Sequence, residues 1–513
     1  MAEKNVPKGT QFISDIKYIT TPPAAPAAFA TGQDCGVPLT NSAAIPNPPL
    51  PADGPGRAHF SNAKLASLLI GIPTTITILI GGGALTGLLI GLLTFFPILI
   101  SFWTWVSRSS PRINEKAKLP GRPVEHYISF KNPSDQAKWK GNNKIPMSLF
   151  ARKYLDGSAS FNGDVLEILE YRHDWADFRF TWYTFKFLLC NFFPDVFFHT
   201  RAQDLDQIRP TYDKGNDHYA FFLGPRMVYT SGLISDTTRE ETLEEMQDNK
   251  MAVVCEKIGL KEGEKLLDIG CGWGTLAKFA SVNYGAKATG LTIAEHQAAW
   301  GNDVLRKAGV PSSQSNILCL DYRDVPKDTK YDKITQLEMG EHVGVKKLTA
   351  FFRQCGDLLK DDGVMYVQLS GLRQEWQYED FIWGLYLNEH IFPGADASTP
   401  LWNYVRSLEM GGFEVKSIDT VGVHYSATIW RWYRNWVGNK ETIRAKFGET
   451  WYRTWELFLA WSSIASRQGS ATCFQFVAVK NLNSTHRING VPTQYGLHGA
   501  LAASKEKAKS KLQ

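Results

Sequence analysis

Residues 265 to 280, KLLDIGCGWGTLAKFA, place Gly270, Gly272 and Gly274 at every second position between a short apolar run and a helix-like segment. A strand, a glycine turn and a helix N-terminus together make a site for an anionic or polar cofactor, because backbone N–H groups and the helix dipole face the turn. Dinucleotides, phosphates and S-adenosylmethionine (SAM) all use such turns. The neighbouring residues decide among them. The spacing is G-x-G-x-G rather than G-x-G-x-x-G, and no lysine follows to make a P-loop. The second strand ends in GLT, Gly290 to Thr292, without the acid that grips a ribose hydroxyl in dinucleotide folds. Asp268 stands at the end of the first strand, where it can meet the ammonium of an amino-acid ligand. After the third strand, LDYRD offers Asp321 to accept from an adenine amine and Tyr322 to stack on the ring. These pieces, in register, point to SAM.

A second group follows the fourth strand. EMGEHVG supplies Glu341 and His342 at the carboxyl end of the sheet, where ligands of α/β folds bind. A carboxylate there can stabilise a cation through space, or it can simply cap the next helix. His342 can equally pack. The seven cysteines show no C-x-x-C pair and no zinc spacing, so a reduced, cytosol-facing protein without a metal is expected.

The elements that must carry these residues read as a doubly wound α/β sheet. KLLDI, AKATGLT, NILCL, YDKITQL and GVMYVQLSG alternate with helices near 275–283, 294–308 and 345–359, and FEVKSIDTV and TCFQFVAVK are late strands. Trp-rich helical insertions at 372–412 and 424–470 are candidates for a lid. A net charge of +5 spread over 513 residues is too weak a bias to argue for nucleic acid. The aromatic content of 12% suits an apolar ligand pocket or a membrane interface.

The N-terminal part differs. Residues 1–60, rich in proline and alanine, predict a disordered tail. From Leu65 to Ser107 there is no Asp, Glu, Lys, Arg or His, which is enough apolar chain for two spans of a bilayer core. Gly81, Gly82 and Gly83 split the run; Phe102, Trp103 and Trp105 form an aromatic belt before Arg108. With Arg57 and Lys64 at the other end, a transmembrane hairpin over 61–110 with both ends in the cytosol is expected, in the endoplasmic reticulum. Residues 111–204 are read as linker; within them 178–199, FRFTWYTFKFLLCNFFPDVFFH, predicts an interfacial helix, with a core helix as the alternative. Residues 481–513 read as a basic mobile tail.

LLDIGCGWGTLAKFA, GLTIAEHQ, LDYRDV and EMGEHVG resemble the cyclopropane-fatty-acid synthase and mycolic acid methyltransferase family, and YDKGNDHYAFFLGPRMVYTSGLI resembles that family's lid over the cofactor. The match covers about 205–480. The membrane segment and the Trp-rich insertions are similar to those of the fungal sphingolipid C9-methyltransferases, which methylate the 8,9-double bond of the long-chain base of glucosylceramide. The resemblance implies a Rossmann-like SAM-dependent methyltransferase domain, with SAM contacts at Tyr229, Asp268, Gly270, Gly272, Gly274, Thr292, Gln297, Asp321 and Tyr322.

The resemblance also implies the chemistry. The alkene attacks the SAM methyl, a carbocation forms, and proton loss gives either a cyclopropane or a methyl-branched alkene. Glu341 matches the family's active-site Glu, which helps hold a bicarbonate base, and Tyr425 in GVHYSATIWRWY matches its active-site Tyr. Trp430 and Trp432 either stabilise the cation or pack the lid. Two positions depart from the pattern. Ser231 in YTSG replaces a cysteine, and Gln368 in QLSG replaces a histidine. Both fall in the bicarbonate site, where Ser and Gln can still hydrogen-bond an anion. They put bicarbonate in doubt and make a change of outcome, from ring to branched alkene, plausible. A cyclopropane synthase acting on phospholipid acyl chains and a catalytically inert membrane scaffold stand as alternatives.

Overall fold

The computed structural model describes residues 43–45, 54, 56, 59–112, 119–192 and 215–511, the last without 394, 396, 397, 484, 486, 487 and 489. The expectation of a disordered tail over 1–42 and the end of the aromatic stretch from 193 onward lie outside the described residues.

Two helices, α1 (Asn62–Leu79) and α2 (Ala84–Ser109), form the expected hairpin. Ser61 caps α1 by accepting from Lys64 N, and the glycines at 81–83 make the turn, with Gly81 at φ +68°. The helices approach closely where Gly87 faces Thr77, as small residues allow in apolar pairs. Along most of their length the side chains face outward; Ile78 is 72% and Leu93 76% exposed. Both helices are long and apolar enough to cross a membrane. The end of α2 behaves differently. Phe102 and Val106 are buried in the main core, and Trp103 stacks on Phe180 and Trp376. Thr104 Oγ1 donates to Phe180 O at 3.2 Å and Phe180 N donates to Ser107 Oγ at 3.0 Å. The hairpin is therefore built into the main body of the fold rather than tethered to it.

Seven strands form one sheet: β1 (Lys265–Ile269), β2 (Lys287–Thr292), β3 (Asn316–Cys319), β4 (Tyr331–Leu337), β5 (Leu359–Leu372), β6 (Phe413–Thr420) and β7 (Ala471–Lys480). The order is β6-β7-β5-β4-β1-β2-β3; β1 to β5 are parallel and β7 runs antiparallel to both its neighbours. Leu266, Leu267 and Ile269 of β1 are all buried, as a strand covered on both faces requires. Helices α3 (Leu243–Lys257), α4 (Thr275–Tyr284), α5 (Glu295–Lys307) and α6 (Leu348–Leu358) pack on the sheet. Leu348, Phe351, Phe352, Cys355 and Leu358 form the buried stripe of α6 at helical spacing. Thr242 and Glu245 close a capping box at the start of α3.

Three expectations change. The Trp-rich insertions are not a loose lid. Helices α7 (Tyr378–His390), α8 (Gly422–Gly438) and α9 (Glu449–Arg467) bury Trp432, Trp436, Trp455 and Trp461 in one large core. The linker belongs to that core too. Residues 124–188 supply Trp175, Phe178, Phe180, Phe185 and Leu188 as buried side chains, so the described part of the aromatic stretch packs inward. Only its outer face, with Trp182 at 68% exposure, looks outward beside the base of the hairpin. Finally, the basic C-terminal segment is helical. Helix α10 (Leu497–Lys511) buries Ala500 and Leu501 against Leu233 and Val253, and Lys507 pairs with Glu256 at 2.8 Å.

Candidate active site

The carboxyl ends of β1, β2, β3 and β4 open on one cavity, lined among others by Tyr229, Asp268, Gly270, Gly272, Thr292, Gln297, Asp321, Tyr322 and His342. Eight of the nine expected cofactor residues lie there. Gly274, the ninth, is the left-handed N-cap of α4 just behind the turn. The glycines have different reasons to be glycine. Gly270 has φ +76°, and a Cβ there would lie 2.7 Å from Met339 Cβ. Gly272 has φ +54°, and a Cβ there would meet nothing within 4 Å of the protein. Gly272 itself lines the cavity.

Asp268 is buried, and its Oδ1 accepts from Thr335 Oγ1 at 2.8 Å across the β1–β4 pair. Burial pushes its carboxyl up to about 6, against the pull of the Thr335 hydroxyl and of Lys250. Thr292 Oγ1 donates to Gln297 Oε1 at 2.6 Å, which leaves the Gln297 amide N–H groups to point elsewhere. Asp321 accepts both from its own loop, at Arg323 N, and from the Arg323 guanidinium at 2.7 Å. It is thus held in place before any ligand arrives. Tyr229 sits among Tyr219, Phe222, Phe392 and Trp432.

The catalytic candidates divide. Tyr425, Gln368 and Ser231 come together around a carboxylate other than Glu341, although Glu341 lies close enough to act electrostatically on Cys473 and Lys250 beside them. Glu341 is buried, its Oε1 accepts from Ser370 N at 2.5 Å, and it is not among the residues lining the cavity. The carboxylate at the cavity is Glu338, three residues earlier and the first beyond β4. Its Oε2 accepts from Tyr425 OH at 2.7 Å and its Oε1 from Gln368 Nε2 at 2.5 Å. Gln368 Nε2 also donates to Ser231 Oγ at 3.1 Å, and Gln368 Oε1 accepts from Gln475 Nε2 at 3.1 Å. Lys250, fully buried on α3, hydrogen-bonds Thr230. Burial pushes its amine down to about 8, with Glu338 the strongest of the charges that resist this.

Sequence reading missed Glu338 because EMGEHVG carries two acids and the pattern favours the second. Its place just past the strand was a usable signal, since that is where sheet ligands bind. Lys250 gave no local signal. Trp430 and Trp432 prove to be packing residues: Trp432 backs Tyr425 and Tyr229, and Trp430 lies against Arg431 and Arg434.

A family model described as mycolic acid cyclopropane synthetase matches residues 199–476. The chain is 70% identical to sphingolipid C9-methyltransferase B of Emericella nidulans, over 98% of this chain and 99% of that one. It is 63% identical to sphingolipid C9-methyltransferase 1 of Gibberella zeae over 97% of each chain, and 53% identical to the sphingolipid C9-methyltransferase of Candida albicans over 97% and 98%. The chain belongs to the sphingolipid C9-methyltransferases. Among solved structures, a mycolic acid cyclopropane synthase complexed with S-adenosylhomocysteine and CTAB is 25% identical, with a TM-score of 0.50 over 53% of this chain and 97% of that one. This methyltransferase is SAM-dependent, and the cavity fits SAM. The open cradle at Gly272 and the buried acid at the end of β1 are what an amino-acid–nucleoside cofactor needs.

The Asp268 shift gives an expected pH dependence. In the cofactor-free protein the protonated acid is favoured below about pH 6. If the ionised form meets the ammonium, SAM affinity falls about tenfold for each pH unit below that point. The sign for stability is the reverse. A raised folded value means that stability from this group is present below the ordinary carboxyl range and is lost as pH rises through about 6. Titration calorimetry of SAM between pH 7.5 and 5 checks this; a flat affinity would exclude an ionised Asp268 from the contact.

Proposed function

We propose that this methyltransferase adds a methyl branch at C9 of the 8,9-double bond of the sphingoid base of glucosylceramide, from a membrane anchor and with the catalytic body in the cytosol at the endoplasmic reticulum. The observation that carries the lipid part of this reading is the fusion of anchor and body: α2 runs from an apolar outer face directly into the core through Phe102, Trp103 and Val106. Burying each CH₂ of a lipid chain is worth about 0.8 kcal/mol, so a long-chain substrate passes from bilayer to pocket without crossing water. The exposed Trp105 and Trp182 lie at the hairpin base, where aromatic side chains meet headgroups.

SAM bound in the cavity supplies an electrophilic methyl group. The chain's residues do the rest. Asp268 would receive the ammonium of SAM, Tyr322 and Asp321 would hold its adenine end, and Thr292 and Gln297, bonded to each other, would contact it from the end of β2. Tyr229 and the aromatic side chains behind it keep water from the carbocation that the methylated alkene becomes. The branched product requires that the proton leave the methylated carbon rather than the new methyl.

Mass spectrometry of lipids from a strain lacking this protein tests the reading. Glucosylceramide without the branch is expected, with the double bond intact in the fragment spectrum. Loss of a cyclopropane from phospholipid acyl chains would support ring closure instead. For the topology, the exposed Asn483, first residue of an N-S-T acceptor, is expected to stay bare; a gel shift on glycosidase treatment would put the body in the lumen.

A further inference from the structure

Glu338 and Met227 are the only non-glycine residues at positive φ among the described residues, at +60° and +53°, and both line the cofactor cavity. A left-handed backbone at a non-glycine residue costs about 1–2 kcal/mol and persists where the surroundings impose it. At Glu338 the surroundings do so. Its N–H donates to Gln368 O at 2.8 Å, which locks the first residue after β4 to β5. The unusual turn aims the carboxylate back over the sheet edge into the cluster of Gln368, Tyr425 and Cys473, whose Sγ lies 3.5 Å from Glu338 Oε1.

The family resemblance assigns the positions of Gln368 and Ser231, together with Glu341, to the site of a bicarbonate base, and Tyr425 to the active-site Tyr. Here they are already spoken for. The two amide hydrogens of Gln368 go to Ser231 and Glu338, and the Tyr425 hydroxyl goes to Glu338. A second anion among them would sit within about 4 Å of the Glu338 charge, at a repulsion of about 4 kcal/mol for an effective dielectric near 20. Lys250, the buried cation at this site, already faces Glu338, Asp268 and Glu341 and so does not offset a further negative charge. Bicarbonate does not fit this site.

We propose that Glu338 is the proton acceptor of the reaction, a carboxylate of the chain standing where a free anion would otherwise act. This rests on the functional reading above. The balance is simple. The alkene's π pair forms the new carbon–carbon bond to the methyl group, leaving S-adenosylhomocysteine and a cation at the neighbouring carbon. Glu338 then takes the proton from the methylated carbon, and the released C–H pair restores the double bond. The proton leaves to water after product release. Tyr425 and Gln368, each holding one carboxylate oxygen, are positioning residues for it.

The backbone makes the test clean. Glycine adopts φ +60° without strain, which offsets part of what Glu338→Gly loses when Tyr425 OH, Gln368 Nε2 and Lys250 are left without the carboxylate, so its folding is read from its melting temperature beside that of Glu338→Gln, which keeps an acceptor. In full-length protein, Glu338→Gln and Glu338→Gly are expected to bind SAM within about threefold of wild type by calorimetry. Turnover is expected to fall by about 100-fold or more, the usual reach of general-base catalysis. Added bicarbonate or formate should restore part of the Glu338→Gly turnover, and ¹³C-bicarbonate should show line broadening with Glu338→Gly but not with wild type. A merely structural role would give neither result. Glu338→Gln with near-native turnover, or wild-type turnover that disappears when bicarbonate is stripped, would overturn the assignment. A wild-type protein that methylates no sphingolipid overturns the functional reading instead.

Discussion

Gly272→Val is expected to leave SAM binding undetectable by calorimetry in a protein that remains folded. The reason lies in where the new side chain would go. At Gly272 the Cβ direction is open to beyond 4 Å, so the valine methyls occupy the cofactor's space rather than a neighbour's. The fold pays only the left-handed strain, about 1–2 kcal/mol for a residue with a Cβ. Gly270→Ala makes the contrasting control. Its Cβ would lie 2.7 Å from both Met339 Cβ and Met339 Cγ, beside Glu338, so its main effect is expected in melting temperature. A folded Gly272→Val protein with native SAM affinity would show that the cofactor does not lie against this turn.

Glu379→Ala is expected to lower stability by about 3–5 kcal/mol, the range seen when one partner of a buried ion pair is removed. Glu379 and Arg172 are both almost fully buried. Glu379 Oε2 accepts from Arg172 Nη2 at 3.1 Å and lies 3.1 Å from His173 Nε2, and Oε1 accepts from Trp461 Nε1 at 3.2 Å. Burial alone would raise the Glu379 carboxyl; Arg172 and His173 more than offset it and hold the group well below the usual carboxylate range. Arg172 keeps Gln468 Oε1 and Leu169 O as acceptors in the variant, but its charge is left without a counter-ion. Because this cluster joins residues 124–188 to α7 and α9, the loss is expected to loosen the layer that seats the hairpin. A denaturant midpoint equal to that of the native chain, measured in the same detergent, would show that this layer is not integral to the fold.

Local chemistry alone set much of this molecule. The G-x-G-x-G turn, Asp268 at a strand end and LDYRD after the third strand are short-range patterns, and the parallel strands bring them to one cavity because consecutive βα units deliver every loop to the same edge. The apolar hairpin was equally legible, since an uncharged run of that length has few other places to go. Three features depended on packing between distant segments. Whether the tryptophans of α8 and α9 form a lid or a core depends on what covers them, and residues 124–188 cover them. Whether α10 is a tail depends on α3, which offers Glu256 to Lys507 and helps bury Ala500 and Leu501. Glu338 and Glu341 are three residues apart in one motif and chemically alike. Only the left-handed turn at Glu338, pinned to β5 through Gln368, decides that the first faces the cavity while the second turns to the backbone of Ser370.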